Sequence, residues 1–399
     1  MSIKLGNTSI NSLGVINKGY LGTIEIFSSV FVSLWQTTTA NETITLPTPT
    51  NYKVDWGDGT VTTNTNSHQY LTANQYTIKI SGVINNFAFD NGGDKDKILE
   101  ISKDGLFSFK SDSFWGCSNI DITSINQHKT TGTNLNNLFR DCSSLVFNSS
   151  VNNIDFALIT SIANFFRGCS VLNLPINFNT DNVVSFTNMF FDCVNFNSQI
   201  TLGTSTANSL QSFLYNCINY NQPINFVTPL LKNTSFMFFG CVKMNSSINI
   251  DADTVTNMSS MFRGCSVYNQ PINFNTPDLL DASFMFYECL EFNQPLNIDT
   301  SKVTTMQSML RYCQNFNQPL AQLSFVSVTR MDEFLGNVGS LYDVNYMDDL
   351  YIKLDQDLVF ANMVNINLTF GAINYTAAGA AARASLVSKG FIITSGIQV

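Results

Sequence analysis

The chain has 399 residues, room for two or three domains at roughly 150 residues each. Apolar residues make up 44%, which excludes wholesale disorder. Only 12% are charged and the net charge is −9, so neither nucleic acid nor an anionic membrane face is an expected partner. No run of apolar residues is long enough to span a bilayer, so no membrane insertion is expected. Two histidines beside 33 phenylalanines leave little imidazole for catalysis or metal ligation.

The opening residues, Met1 to Thr8, carry no apolar core and predict no secretory signal. Ile3–Ile10 and Gly19–Phe27 are two short alternating pieces separated by turn residues. A strand pair of that size is marginal alone, which predicts docking on another subunit by strand addition. The segment resembles the "lGnt.i…yLGt.ei" start of bacteriophage virion proteins. That resemblance implies that residues 1–30 attach the chain to other virion subunits or drive homo-oligomerisation.

In residues 31–90, Val54-Asp55-Trp56 reads as the end of a strand and Gly57-Asp58-Gly59 as its turn. Tyr76, Ile78 and Ile80 alternate along a further strand. With His68-Gln69-Tyr70, these residues resemble a PKD domain, which implies a small immunoglobulin-like β-sandwich. Asp55 and Asp58 read as turn formers, since no calcium-loop spacing accompanies them. His68 reads as a structural hydrogen-bonding residue. Asp90 to Asp96 reads as a polar, glycine-rich link.

Nine cysteines mark the long middle of the chain: Cys117, Cys142, Cys169, Cys193, Cys217, Cys241, Cys265, Cys289 and Cys313. Their intervals are 25, 27 and then 24 six times, the signature of a stacked repeat. Phe or Leu stands three residues before each one, and Met189, Met237, Met261, Met285 and Met309 one residue earlier. Phe196, Tyr220, Met244, Tyr268, Phe292 and Phe316 stand three residues after. An Asn-Gln-Pro step comes next at 221–223, 269–271, 293–295 and 317–319.

Within a rung, Ile224 and Phe226, Ile272 and Phe274, or Leu296 and Ile298 alternate with polar residues and predict a short strand. Val255, Met258, Met261 and Phe262 predict one apolar stripe of a short helix or 3₁₀ turn, as do Val303, Met306 and Met309, with Thr254 and Ser301 as N-caps. A lone rung cannot bury both faces, so neighbours must stack. Nine is odd and no CxxC pair occurs, and equivalent thiols in adjacent rungs do not converge as a disulfide requires. A straight file does not supply tetrahedral zinc either. The cysteines are expected to be buried, reduced core residues.

The phrase Val255-Thr256-Asn257-Met258-Ser259-Ser260-Met261-Phe262-Arg263-Gly264-Cys265, followed by Tyr268-Asn269-Gln270-Pro271-Ile272, resembles the BspA-type leucine-rich repeat of bacterial surface proteins. The resemblance covers about residues 100–325. The rungs of Cys117 and Cys142 lack the Asn-Gln-Pro step and read as an irregular N-terminal cap. Past Pro319 the repeat fades. Residues 343–360 predict a helix holding Val344, Met347, Leu350, Tyr351 and Leu354, and Ala377–Ser388 another closed by Gly390. Phe391–Thr394 predicts a last strand. This ending resembles the closing segment of the same repeat family and implies a cap over the final edge.

The expected fold is therefore mainly β with short helices. It comprises a β-strand attachment segment (1–30), a PKD-like sandwich (31–90), a leucine-rich-repeat-type solenoid of about nine 24-residue rungs (91–325) and an α/β capping region (326–399). No nucleophile elbow, zinc-protease motif, P-loop or dinucleotide fingerprint occurs, so no catalytic, cofactor-binding or metal residue is assigned. Asp251, Asp253, Asp278, Asp281 and Asp299 are the carboxylates a polysaccharide depolymerase would need in pairs, but they are scattered in register and read as cap and turn residues. The expected function is a non-enzymatic bacteriophage virion protein, a head or tail fibre or decoration subunit. It would assemble in the host cytoplasm and present the repeat to a host-surface glycan or protein. A bacterial cell-surface adhesin is the alternative, and a depolymerase the second.

Overall fold

The computed structural model describes the backbone of residues 4–5, 8–9, 18–21 and 24–28, and residues 30–48, 52–82, 84, 86–105, 108–123, 132–147, 149–339, 342–358, 367–370 and 372–399. The chain divides into two compact units, residues 1–155 and 156–399. Strands account for most of the regular structure, with few short helices.

In the first unit, β1 (Lys4–Leu5) pairs antiparallel with β2 (Thr8–Ser9), and β3 (Lys18–Leu21) with β4 (Ile24–Ser28). These strands fall within the two expected N-terminal pieces; Ile3, residues 6–7, residues 10–17 and residues 22–23 lie outside the described residues. β5 (Val30–Gln36), β7 (Lys53–Asp55), β8 (Val61–Thr63), β10 (Gln75–Ser81), β11 (Ile98–Asp104) and β12 (Asp121–Ile122) form one sheet in the order 12-11-5-10-7-8. β6 (Glu42–Thr45) and β9 (Ser67–Tyr70) form a separate antiparallel pair. The expected alternation along β10 is present, with Tyr76, Ile78 and Ile80 buried and paired to Trp35, Ser33 and Phe31 of β5. The buried Trp35 indole donates to Ser33 Oγ at 2.8 Å, so the apolar face keeps no bare N–H.

The turn after β7 obeys the chemistry of its residues. Asp55 Oδ1 accepts from Gly57 N at 3.1 Å and Asp58 Oδ1 from Thr60 N at 2.9 Å. Gly57 has φ +81°, and a Cβ there would lie 2.6 Å from the Thr77 carbonyl oxygen, so only glycine fits. His68 Nε2 meets Asp58 Oδ2 at 2.7 Å, and its ring stacks on Trp56 at 5.2 Å. The link at 90–96 is tied down through Asp94, which shares the Lys97 ammonium with Glu42 at 2.8 and 3.1 Å.

The second unit is a stack in a register of 24. β13 (Ile176–Phe178) lies parallel to β14 (Ile200–Leu202), β15 (Ile224–Asn225) to β16 (Ile248–Asn249), and Ile272 bridges Leu296. The expected short strand is therefore present at Ile224, while at Ile272 and Leu296 it is reduced to a single bridge. The expected helical return is absent. In residues 258–264 alternate amides leave the rung: Met258, Ser260, Phe262 and Gly264 donate to the carbonyls of Asp281, Ser283, Met285 and Tyr287 at 2.8–2.9 Å. The amides between them, Met261, Arg263 and Cys265, close i→i+3 turns on Met258, Ser260 and Phe262. Ser260 and Gly264 have φ +56° and +77°, which no helix contains. A helix would spend every amide inside its own rung, whereas this ribbon of turns gives half of them to the neighbour. An apolar spacing of three suits both forms, which is why the sequence suggests the helix. Thr254, expected as an N-cap, instead donates its hydroxyl to the Leu231 carbonyl at 2.8 Å, and the Ser301 amide donates to Asp299 Oδ1 at 2.8 Å.

All nine cysteines are buried and unbridged. From Cys193 onward each thiol donates back one rung, to the carbonyl of the residue three before the preceding cysteine. Cys241 donates to Leu214, Cys265 to Phe238, Cys289 to Phe262 and Cys313 to Phe286, each at 3.0 Å. In the first unit Cys142 repeats this to Phe114 at 3.0 Å. Burial pushes these thiols far above their ordinary pKa. Beside them the rings of Phe238, Phe262 and Phe286 stack at 5.6 and 5.4 Å.

The stack continues past the point where the sequence repeat fades. Val338 takes the cysteine position, and Met306, Ser308, Leu310 and Tyr312 donate to Arg330, Asp332, Phe334 and Gly336. Tyr342 then stacks on Phe316 at 6.2 Å. The C-terminal helices are α1 (Val344–Asp357) and α2 (Ala377–Ser388), with β17 (Asn367–Thr369) parallel to β18 (Ile392–Thr394). Met347, Leu350, Tyr351 and Leu354 are buried as expected. The buried Asp348 of α1 accepts from the Thr376 amide at 2.9 Å and from its hydroxyl, so one helix organises the N-terminus of the other.

This interior makes two outcomes testable. With thiolates this disfavoured, the native protein should show essentially no reaction with a disulfide-exchange chromophore, and all nine cysteines should react once guanidinium is added. Tyr268 stacks in the column that holds Phe292 and Phe316, yet its hydroxyl is buried with no hydrogen-bond partner among the described residues. Tyr268→Phe should therefore stabilise the protein by about 1 kcal/mol in a thermal melt.

Candidate functional site

With strands, thiols and the ring columns beside the cysteines committed to the interior, function must be sought on what the rungs turn outward. One outward feature is a ladder of asparagines at the Asn-Gln-Pro step. Asn245 Oδ1 accepts the Asn269 amide, Asn269 Oδ1 that of Asn293, and Asn293 Oδ1 that of Asn317, each at 2.9 Å. Gln270, Gln294 and Gln318 add a second donor to the same oxygens at 3.0–3.1 Å. These asparagines thus hold the register, with the glutamines reinforcing them. Toward the start of the stack the ladder borders a shallow groove of about 610 Å³ lined by Val171, Asn173, Asn195, Asn197, Asn219, Asn221 and Lys243. The groove offers uncharged amides and one ammonium, which Asn219 Oδ1 engages at 2.7 Å.

A second feature lies two residues before each of the last seven cysteines, where the chain reads Arg167, Phe191, Tyr215, Phe239, Arg263, Tyr287 and Arg311. All seven are half-exposed. Stacking turns this mixed series into a ribbon: Phe191 lies on Tyr215 at 4.3 Å and Tyr215 on Phe239 at 4.4 Å, within 2° of parallel. Arg167 covers the far side of Phe191 at 4.3 Å, and Arg263 lies between Phe239 and Tyr287 at 5.4 and 4.4 Å. Arg311 reaches Tyr312 at 4.8 Å and pairs with Glu333. Beside Tyr287 and Tyr312 opens a hollow of about 410 Å³ that also includes Ser266, Glu288 and Gln314. Nothing in the sequence singles this ribbon out, because no one residue type recurs at the position.

The carboxylates that hydrolysis would need are each engaged separately. Asp251 accepts the Thr228 amide at 2.7 Å, Asp253 the Asn275 amide nitrogen at 3.0 Å, and Asp281 the Ser283 amide at 2.8 Å. Asp278 pairs with Lys302 at 2.7 Å, which holds its carboxyl below the usual carboxylate range. Backbone and hydroxyl donation from Ser301 does the same for Asp299. Asp281 and Asp299 thus serve local turns, whereas Asp251, Asp253 and Asp278 engage residues of a neighbouring rung. Among the described residues there is no group of three or more His, Cys, Asp or Glu able to hold a metal, and no helix long and apolar enough to cross a membrane.

The comparison with known families bears on this same stretch. A family model described as "Mycoplasma protein of unknown function, DUF285" matches residues 133–250 and 232–346, more than half the chain. The chain belongs to this family. The match spans the rungs that carry both the amide ladder and the aromatic ribbon, and it supports the BspA-type reading of the repeat. No curated protein and no solved structure shows a match.

The ladder can be tested directly. Asn293→Ala removes the acceptor for both the Asn317 amide and Gln318, and should cost about 1 kcal/mol in chemical denaturation. Asn293→Asp keeps an oxygen in place and should cost less.

Proposed function

We propose that the chain is a non-enzymatic display protein of a bacteriophage particle, a head or tail fibre or decoration subunit, whose repeat adheres to a host or environmental surface. In this reading the stack is a leucine-rich-repeat-type solenoid, and the sheets of the first unit are a PKD-like sandwich. The observation that carries it is the division of labour in the rung. Every thiol is buried, the five candidate aspartates are engaged in local turns, inter-rung hydrogen bonds and an ion pair, and the outward face offers amides, rings and guanidiniums suited to binding. The virion placement rests on the resemblance of residues 1–30 to virion segments. The short pairs β1–β2 and β3–β4 suit strand addition to another subunit, since such small pairs are marginal by themselves. A second reading, a bacterial cell-surface adhesin, is favoured by the family match to Mycoplasma proteins.

Quantitative mass spectrometry of density-gradient-purified particles separates the two. The chain should co-sediment with particles at a fixed copy number, and a version lacking residues 1–30 should stay in the soluble lysate. Recovery in the cell envelope, with particles free of it, would overturn the virion reading in favour of the adhesin.

A further inference from the structure

The three-ring stack Phe191–Tyr215–Phe239 is closed at both ends by guanidiniums, Arg167 on one side and Arg263 on the other. Arg263 is the more enclosed. Besides Phe239 and Tyr287 it lies 5.5 Å from the Phe284 ring, so rungs on either side hold it. Stacking occupies the faces of a guanidinium and leaves free its N–H edge, the part that recognises an oxyanion with two parallel hydrogen bonds. Neither Arg167 nor Arg263 forms an ion pair among the described residues, whereas Arg311 is taken by Glu333. Of the carboxylates in adjoining turns, Asp192 accepts from Asn216 Nδ2 at 3.0 Å, and Glu288 pairs with neither arginine. In a chain with 29 acidic residues against 20 basic ones, two fixed and unneutralised cations on one edge call for an external anion.

Building on the surface-binding role proposed for the repeat, we infer that Arg167 and Arg263 bind the anionic groups of an acidic polysaccharide, with the stacked rings as the spacer between them. Four rungs at about 4.8 Å each put the guanidiniums about 19 Å apart, a span that suits a repeating polyanion better than a small ion. Two cations are too few for nucleic acid, which is held by neutralising roughly six to ten phosphates. The uncharged amides of the neighbouring ladder match hydroxyl groups instead.

Affinity electrophoresis of the full chain through gels holding polygalacturonate, dextran sulfate or neutral dextran tests this, with a thermal melt to verify the fold of each variant. The chain should be retarded by the carboxylate polymer, the sulfate polymer or both, which identifies the anion, and not by neutral dextran. Arg263→Gln should weaken that binding about tenfold, and the double variant with Arg167→Gln further. Arg263→Lys keeps the charge but loses the flat fork, so it should also weaken binding. Lys302→Gln, in a lysine already paired with Asp278, should leave binding unchanged. No retardation by either polyanion, equal retardation by neutral dextran, or undiminished binding in a folded double variant would each overturn the inference. If the folded double variant still coats host cells as the unmodified chain does, the anion site is wrong and the adhesion role stands. If the unmodified chain coats no cell surface, the adhesion role itself falls.

Discussion

The carbonyl three residues before each cysteine is where the stack is locked. In the rung of Cys265, the Phe262 oxygen accepts the Cys265 amide at 2.9 Å and the Cys289 thiol of the next rung at 3.0 Å, so both lone pairs are used. A thiol suits this place because it packs as a small apolar group and still carries a weak donor. Shift one rung by a single residue and the thiol meets no carbonyl, the rings lose their partners and the asparagine oxygens miss their amides. Register, more than burial alone, is what the repeat encodes.

That constraint divides the molecule's chemistry. Everything that holds register points inward or along the stack: thiol to carbonyl, ring on ring, and the Thr204, Thr276 and Thr300 hydroxyls on carbonyls one rung ahead. The position two before the cysteine has no such duty, so its side chain is free to vary. Free variation there produces a face of rings capped by guanidiniums, set rigidly because each backbone is pinned on both sides. Rigid placement of amphipathic side chains suits the adhesive role proposed for the repeat, since little conformational entropy is lost on binding.

Much of the architecture is legible in the chain. The cysteine intervals, the Met and Phe columns and the alternating residues after each proline point to stacked rungs with short parallel strands. The apolar spacings and Gly390 mark the two terminal helices. The return segment defeats a reading by spacing because Val255, Met258 and Met261 fit a helix and a ribbon of turns equally well. The distinguishing signal sits at the residue before the cysteine, where Asp192, Asn216, Gly240 and Gly264 are types that tolerate positive φ. The extra rung ending at Val338 is hidden because valine fills the cysteine's volume without its identity.

By itself, the sequence determined the period, the residues that face the interior and the two helices near the end of the second unit, because these depend on apolar pattern and turn chemistry, which are local. Only the tertiary structure decided which amides serve the neighbouring rung, and that Arg167, Phe191, Tyr215, Phe239 and Arg263 form one surface. The period predicts stacking, but no residue type recurs at this position to mark it as a surface; the stacking repeat of a parallel ladder brings neighbouring side chains there within 4.3–5.4 Å.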